Sequence, residues 1–364
     1  MSTSLFTEEH EALRAVVRRW VEREGAEGAP AWERTGGWPR DVLRTVASQG
    51  WLSTALAASG GGDVLAGVAM WEELGRLRSA GVVQDLLAQA HAAALLSEAG
   101  VPAVAQRAHA GELLVTLAGG ALRLRPDGDA LLLSGTAPAL ANAAVADTAV
   151  AVVPDEQGIA LAVVDTRLPG WHATPPASPF GRRGGHAADV EFRDVRLAGG
   201  DVVARGAEGL ALMRRRQDRW RLDHAAATVA AAWLAWEDAK AYALQREAFG
   251  RPIATFQVNR HALADMAAEL SALRALVHDT ARRLTLAALE SGDTAALRLR
   301  ADRVSAAVAD RCLQLHGGYG YTMEFDVQRA WRDAAHLRVD EAGDAALRDE
   351  IAAGLESRMG GGSS

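Results

Sequence analysis

The stretch Gln314-Leu315-His316-Gly317-Gly318-Tyr319-Gly320-Tyr321 puts three glycines in four positions, directly after a long alanine-rich helical pattern. Glycine tolerates positive φ and lets the backbone approach another molecule closely. Such a loop is either a helix C-cap with an aromatic plug or a bare backbone surface facing a nucleotide. A lone Gly-Gly-x-Gly does not choose between the two. His316, inside the loop, faces either the bound molecule or the packing. Other chemistries are thinner. Ten histidines are scattered singly, none at metal-ligand spacing with cysteine or a second histidine, so no metal site is expected. Cys312 sits at helical spacing among apolar neighbours and reads as a small buried hydrophobe, not a nucleophile. The tryptophans read as core and interface anchors, since no basic groove interleaves with them.

The bulk numbers narrow the class. A chain of 364 residues, 49% apolar and 23% charged, has the balance of a globular protein with two or three structural units. The net charge of −7, without a basic tail or stripe, argues against nucleic acid. A single cysteine excludes a disulfide framework and fits a reducing cytoplasm. No apolar run reaches transmembrane length, and glutamates stand where a signal peptide would carry lysines, so a cytoplasmic protein is expected.

The elements that must position the loop follow from periodicity. Residues 1–112 read as helices. Thr7 can cap the first, Pro39 fits the first turn of a second, and Gly60-Gly61-Gly62 is a loop. A third carries Trp71 to Arg76, and a fourth runs from about Val82 to Ala99, ended by Gly100 and Pro102. From 113 to 205 the period changes to two, with a hairpin turn at Pro126-Asp127-Gly128-Asp129 and clean alternation over Asp189 to Arg196. Strands without intervening helices argue for an antiparallel barrel or sandwich. Residues 206–359 return to the helical period, and Leu263, Met266, Leu270, Leu273 and Val277 form the seam of a four-helix bundle. Residues 360–364 read as a flexible tail. The expected class is α+β.

Two long stretches resemble the flavin-dependent acyl-CoA dehydrogenases. Arg246-Glu247-Ala248-Phe249-Gly250-Arg251-Pro252-Ile253-Ala254-Thr255-Phe256-Gln257, followed by Leu263-Ala264-Asp265-Met266, resembles one family signature. Gln314-x-x-Gly317-Gly318-x-Gly320-Tyr321 up to Arg332-Asp333-Ala334 resembles another. Phe6-Thr7-Glu8-Glu9, Gly50-Trp51, Glu73-Leu74-Gly75 and Val190 to Arg196 match as well, so the resemblance covers nearly the whole chain. It implies α,β-dehydrogenation of an acyl thioester, CoA-borne or otherwise, with electrons passed to an acceptor such as an electron-transfer flavoprotein. It also implies dimers, or dimers of dimers, with FAD lying across a subunit interface.

In that scheme Arg246, Phe249, Gln257, Gln314, Gly317 and Gly318 contact the nucleotide part of the partner's FAD. An arginine fork matches pyrophosphate oxygens. The family position of the base falls at Glu341, or at Asp340 if the alignment slips by one, where the bland reading is a solvated acid. The position that carries the base in some relatives is Trp220 here, which cannot serve. Asp218 and Arg221 keep positions that line the acyl pocket. Thr116-Leu117-Ala118-Gly119-Gly120 stands for the family's flavin-holding loop, shortened, and Ala139-Leu140-Ala141 for its aromatic-hydroxyl strand. Backbone N–H groups can still serve the ring. Two alternatives stay open: a non-catalytic or half-site subunit of a heteromeric dehydrogenase, and a flavin-dependent oxidase or oxygenase on the same fold.

Overall fold

The computed structural model describes residues 5–59, 63–338 and 343–360. The Gly60-Gly61-Gly62 loop, Glu341 with its neighbour Asp340, and residues 361–364 of the expected tail lie outside them. Helices open the chain: α1 (Glu8–Thr35), α2 (Arg40–Ser48), α3 (Val64–Leu74), α4 (Ala80–Glu98) and α5 (Pro102–His109). Thr7 caps α1 in a reciprocal box, accepting from the His10 N–H while the Thr7 N–H donates to His10 Nδ1. The other ring nitrogen of His10 meets Asp63, the N-cap of α3, at 2.6 Å, so two helix starts are tied together. Pro102 stops nothing. α4 ends at Glu98 and Pro102 opens α5, because a first-turn proline gives up an N–H that has no helical partner.

Two four-stranded sheets follow. One runs β2-β3-β7-β6 (Ala121–Asp127, Ala130–Leu140, Ala188–Ala198, Trp171–Thr174) and is antiparallel throughout. The other runs β1-β4-β5-β8 (Val115–Ala118, Thr148–Asp155, Gly158–Asp165, Val202–Ala204). Here the expected antiparallel unit is corrected, because β1 pairs with β4 in parallel. Parallel neighbours need a crossover, and the β2–β3 hairpin supplies it by crossing to the opposite sheet and back. Leu133, Val153, Val164, Val190, Phe192 and Val195 fill the space between the sheets. The outer face of the second sheet packs Val115, Val150 and Leu161 against Leu95 and Leu96 of α4.

The C-terminal part comprises α6 (Gly206–Gln245), α7 (Gln257–Thr285), α8 (Asp293–Leu315), α9 (Val327–Ala335) and α10 (Gly343–Gly360). α6 is one helix of 40 residues, so three long helices carry the bundle, and the shorter α9 and α10 both pack on α8. All five seam residues expected on α7 are buried. Gly75, at the end of α3, lets the α3–α4 corner rest on α6. A Cβ there would come 2.2 Å from the Ala227 carbonyl oxygen. No described helix is long and apolar enough to cross a membrane.

Candidate functional site

The two signature stretches meet in one open groove of about 1000 Å3 between the end of α6, the start of α7 and the end of α8. Arg246, Gln314, Gly317 and Gly318 all line it, joined by Arg311 and His261. Arg246 is exposed at the end of α6 with its guanidinium 5.5 Å from the Tyr319 ring centroid. Neither Arg246 nor Arg311 has a carboxylate partner among the described residues, so the groove holds two guanidinium groups free to bind an anion. Gly317 needs its glycine, with φ +56°. Gly320 needs it too, since a Cβ would approach the Leu313 carbonyl oxygen to 2.6 Å. Gly318 has neither reason. Its φ is ordinary and an added Cβ meets nothing within 4 Å, so the missing side chain serves nothing inside this chain.

Phe249 and Gln257 sit beside the groove and do not line it. Phe249 tips the small ribbon β9–β10 (Glu247–Ala248, Arg251–Pro252) at φ +52° and is 95% exposed, and Gln257 is the exposed first residue of α7. His316 faces the packing. It stacks on Tyr242 with centroids 4.2 Å apart and its Nδ1–H donates to the Cys312 carbonyl at 2.8 Å. Cys312 is buried, and burial pushes its thiol up to about 12. Thr116 is fully buried, and its hydroxyl donates to the Ala141 carbonyl at 2.7 Å. That bond ties the end of β3 to β1 and leaves the hydroxyl spent.

Asp218 and Arg221 lie together at the junction of α6, α8 and α10. The Arg221 guanidinium is buried and donates two 2.7 Å hydrogen bonds to Glu350 of α10. Asp218 accepts from the Thr294 hydroxyl at 2.5 Å, and burial pushes its carboxyl up from the usual range. Trp220 is half-buried, stacked on His224 at 5.0 Å, with the Arg298 guanidinium 4.5 Å from its ring centroid. Sequence reasoning missed what surrounds His224. Gln84 donates to its Nδ1 and its Nε2–H donates to Asp302, both at 3.0 Å, and burial holds the imidazole neutral. The only sequence signal was the polar pair Asp223-His224 standing directly before the alanine run of α6.

Next to this cluster a cavity of about 90 Å3 runs between α4, α6, α8 and α9. One end is formed by Gln84, Thr228, His336 and Leu337, shortly before Glu341 in the chain, and the other by Arg78, Asp238 and Asp326. Both flanks of residues 339–342 are anchored. Asp333, near the end of α9, accepts from the Ala80 N–H at 3.0 Å and the Arg182 N–H at 2.6 Å, capping α4 and holding the loop before β7. Arg332 donates to Gln328 and to the Phe180 carbonyl. On the far side Asp344 accepts from Arg303 at 2.9 Å and Glu350 holds Arg221.

The architecture is helical, then β, then a helical bundle, with an anion-ready groove and a narrow cavity along α6 and α8. Residues 7–110 match the acyl-CoA dehydrogenase N-terminal domain and residues 207–355 the acyl-CoA dehydrogenase C-terminal domain. The chain belongs to the acyl-CoA dehydrogenase family, flavoprotein oxidoreductases acting on CH–CH groups. It is 25% identical over 355 residues to the mitochondrial long-chain specific acyl-CoA dehydrogenase of Mus musculus, covering 91% of this chain and 82% of that one. It is 27% identical over 366 residues to the short-chain specific acyl-CoA dehydrogenase of Clostridium acetobutylicum, covering 92% and 94%. A glutaryl-CoA dehydrogenase from Mycobacterium smegmatis, solved in complex with FADH2, shares the fold with a TM-score of 0.87 at 21% identity, over 97% of this chain and 96% of that one.

Proposed function

We propose that the chain is an FAD-dependent acyl-CoA dehydrogenase working in the cytoplasm. It would introduce a double bond between the α and β carbons of an acyl thioester and pass the electrons to an external acceptor such as an electron-transfer flavoprotein. The groove carries this reading. It joins both signatures, offers two unpaired guanidinium groups, and includes at Gly318 a bare backbone that nothing in its own chain requires. Those features fit a dinucleotide, whose pyrophosphate takes bidentate arginine bonds and whose close approach needs glycine. Phe249, Val258, Tyr321 and Met323, all more than 60% exposed around the groove, supply the apolar surface that a second copy would cover. In that dimer Arg246, Arg311, Gln314 and the Gly317–Gly318 backbone hold the nucleotide end of the partner's FAD. FAD, when bound, accepts the hydride that leaves the β carbon. Glu341 takes the α proton, and the cavity lined by His336 and Leu337 receives the acyl chain and excludes water.

Arg246→Ala is expected to weaken FAD about 10–100-fold, the worth of a hydrogen bond to a charged group. Because Arg246 is exposed and unpaired, the fold should melt as before. Titration of the apoprotein with FAD, read by flavin fluorescence, measures this, and an unchanged Kd removes the groove from the flavin site. One observation favours a second reading, a subunit that serves only its partner's flavin. The Thr116 hydroxyl is spent on Ala141, and Ala139 to Ala141 offer the ring no polar side chain. Under that reading the purified chain alone retains no flavin and gains it only with a second, related subunit.

A further inference from the structure

The end of β3 runs in an unusual conformation. Ala139 has φ +51° and Asn142 φ +65°, a region that residues with a side chain seldom occupy. The β3–β7 register breaks between Ala137 and Leu140, so the strand bulges there. Leu140 turns into the core between the sheets, which leaves Ala139 exposed and Ala141 half-buried. The outward surface is therefore backbone with methyl groups. Gly120 packs on Thr136 and Ala137 of the same strand, and a Cβ on Gly119 would meet nothing within 4 Å.

This backbone is held from behind by buried polar groups. The Asn142 side chain is fully buried and donates to the carbonyls of Asp85 at 2.8 Å and Val115 at 3.2 Å. Its N–H donates to the Asp85 carboxylate at 3.1 Å. The Thr116 hydroxyl holds the Ala141 carbonyl, and Asp189 accepts from the Ala139 N–H at 2.8 Å. Asp85 of α4, fully buried, is the hub. Its carboxylate also accepts from the Trp38 indole at 2.8 Å and from the His186 N–H at 2.7 Å. Strained backbone persists only where its surroundings over-determine it, and such places cluster at functional sites.

We propose that Asp85 is a positioning residue for the flavin ring, fixing through Asn142 the Ala139–Ala141 backbone on which this chain seats the ring of its own FAD. The proposal rests on the FAD-dependent reading above. It turns against the subunit that serves only its partner's flavin, because the Thr116 hydroxyl then works by holding Ala141. Backbone N–H donors in such a seat favour the electron-rich reduced ring over the oxidised one.

The test loads the full-length protein with FAD and measures the visible absorption band and the two-electron potential of the bound flavin. Asp85→Asn keeps one oxygen for Trp38 and His186 and turns an amide NH2 toward the Asn142 N–H. It should shift the band and lower the preference for reduced over oxidised flavin about tenfold, a fall of about 30 mV for a two-electron couple. Thr116→Val, which keeps the side-chain shape and releases the Ala141 carbonyl, should move both readouts the same way, and it carries the test if Asp85→Asn does not fold. Asp223→Asn removes another buried carboxylate bonded to α4, through His91, and should lose stability while leaving band and potential unchanged. Band and potential unmoved in every Asp85 and Thr116 variant that folds, while acyl-CoA bleaches the unmodified protein, overturns the positioning role alone. An unmodified chain that binds no flavin overturns both readings.

Discussion

Glu341→Gln is expected to give a protein that folds and binds flavin yet reduces it with an acyl thioester about 10²–10⁴-fold more slowly, the usual worth of a general base. The amide keeps the shape of the carboxyl and removes its basicity. The expectation rests on the flanks of residue 341. Asp333 fixes the end of α9 to the start of α4 and to Arg182, while Arg221 and Arg303 hold α10 through Glu350 and Asp344. The near flank, through His336 and Leu337, lines the cavity. Asp340→Asn, measured beside it by anaerobic stopped-flow flavin reduction, separates the two neighbours. If Glu341→Gln reduces flavin at full rate while Asp340→Asn does not, the base is Asp340.

Asp223→Asn should cost about 3–5 kcal/mol of stability, the penalty for leaving a buried charge without its partner. Arg219 is fully buried and its Nε lies 3.0 and 2.9 Å from the two carboxylate oxygens of Asp223, which is equally buried and also accepts from His91 at 3.1 Å. Burial, the largest single influence, would raise the Asp223 carboxyl, but the Arg219 charge and the His91 hydrogen bond together outweigh it and hold the group below the usual range. Asp165→Asn, at the exposed pair with Arg167, should change nothing measurable. Chemical denaturation of the two variants compares them, and equal midpoints would show that Asp223, paired with Arg219 on α6 and with His91 of α4, is not stabilising the fold.

The same cluster sets the direction of the pH dependence. His91, His224 and His336 are all depressed by burial, His336 to about 3. The unfolded chain therefore binds protons that the folded one refuses. Stability is fully present above the unfolded histidine pKa near 6.5 and falls as pH drops below it. Asp223 adds to the loss on further acidification, below the ordinary aspartate range.

What was legible in the sequence had a local cause. The seam from Leu263 to Val277 shows a period, Thr7 is a cap type before a helix, and the two glycine and arginine signatures are contiguous. What was hidden depended on distant partners. Glu350 completes Arg221 from 129 positions away, and nothing in either stretch announces the other. The parallel β1–β4 pair looks like any other strand pair in one dimension, because alternation has the same period in both directions. Thr116 is a hydroxyl type in a strand, but its hydroxyl turns inward to Ala141, a fact of register and not of residue type.

The most direct test is an absorbance spectrum of the purified chain reconstituted with FAD, followed by anaerobic titration with a straight-chain acyl-CoA. The proposed function predicts a bound-flavin spectrum whose visible band bleaches in proportion to added thioester and recovers with an electron-transfer flavoprotein. A chain that retains no flavin, or a bound flavin that no acyl thioester bleaches, would contradict it.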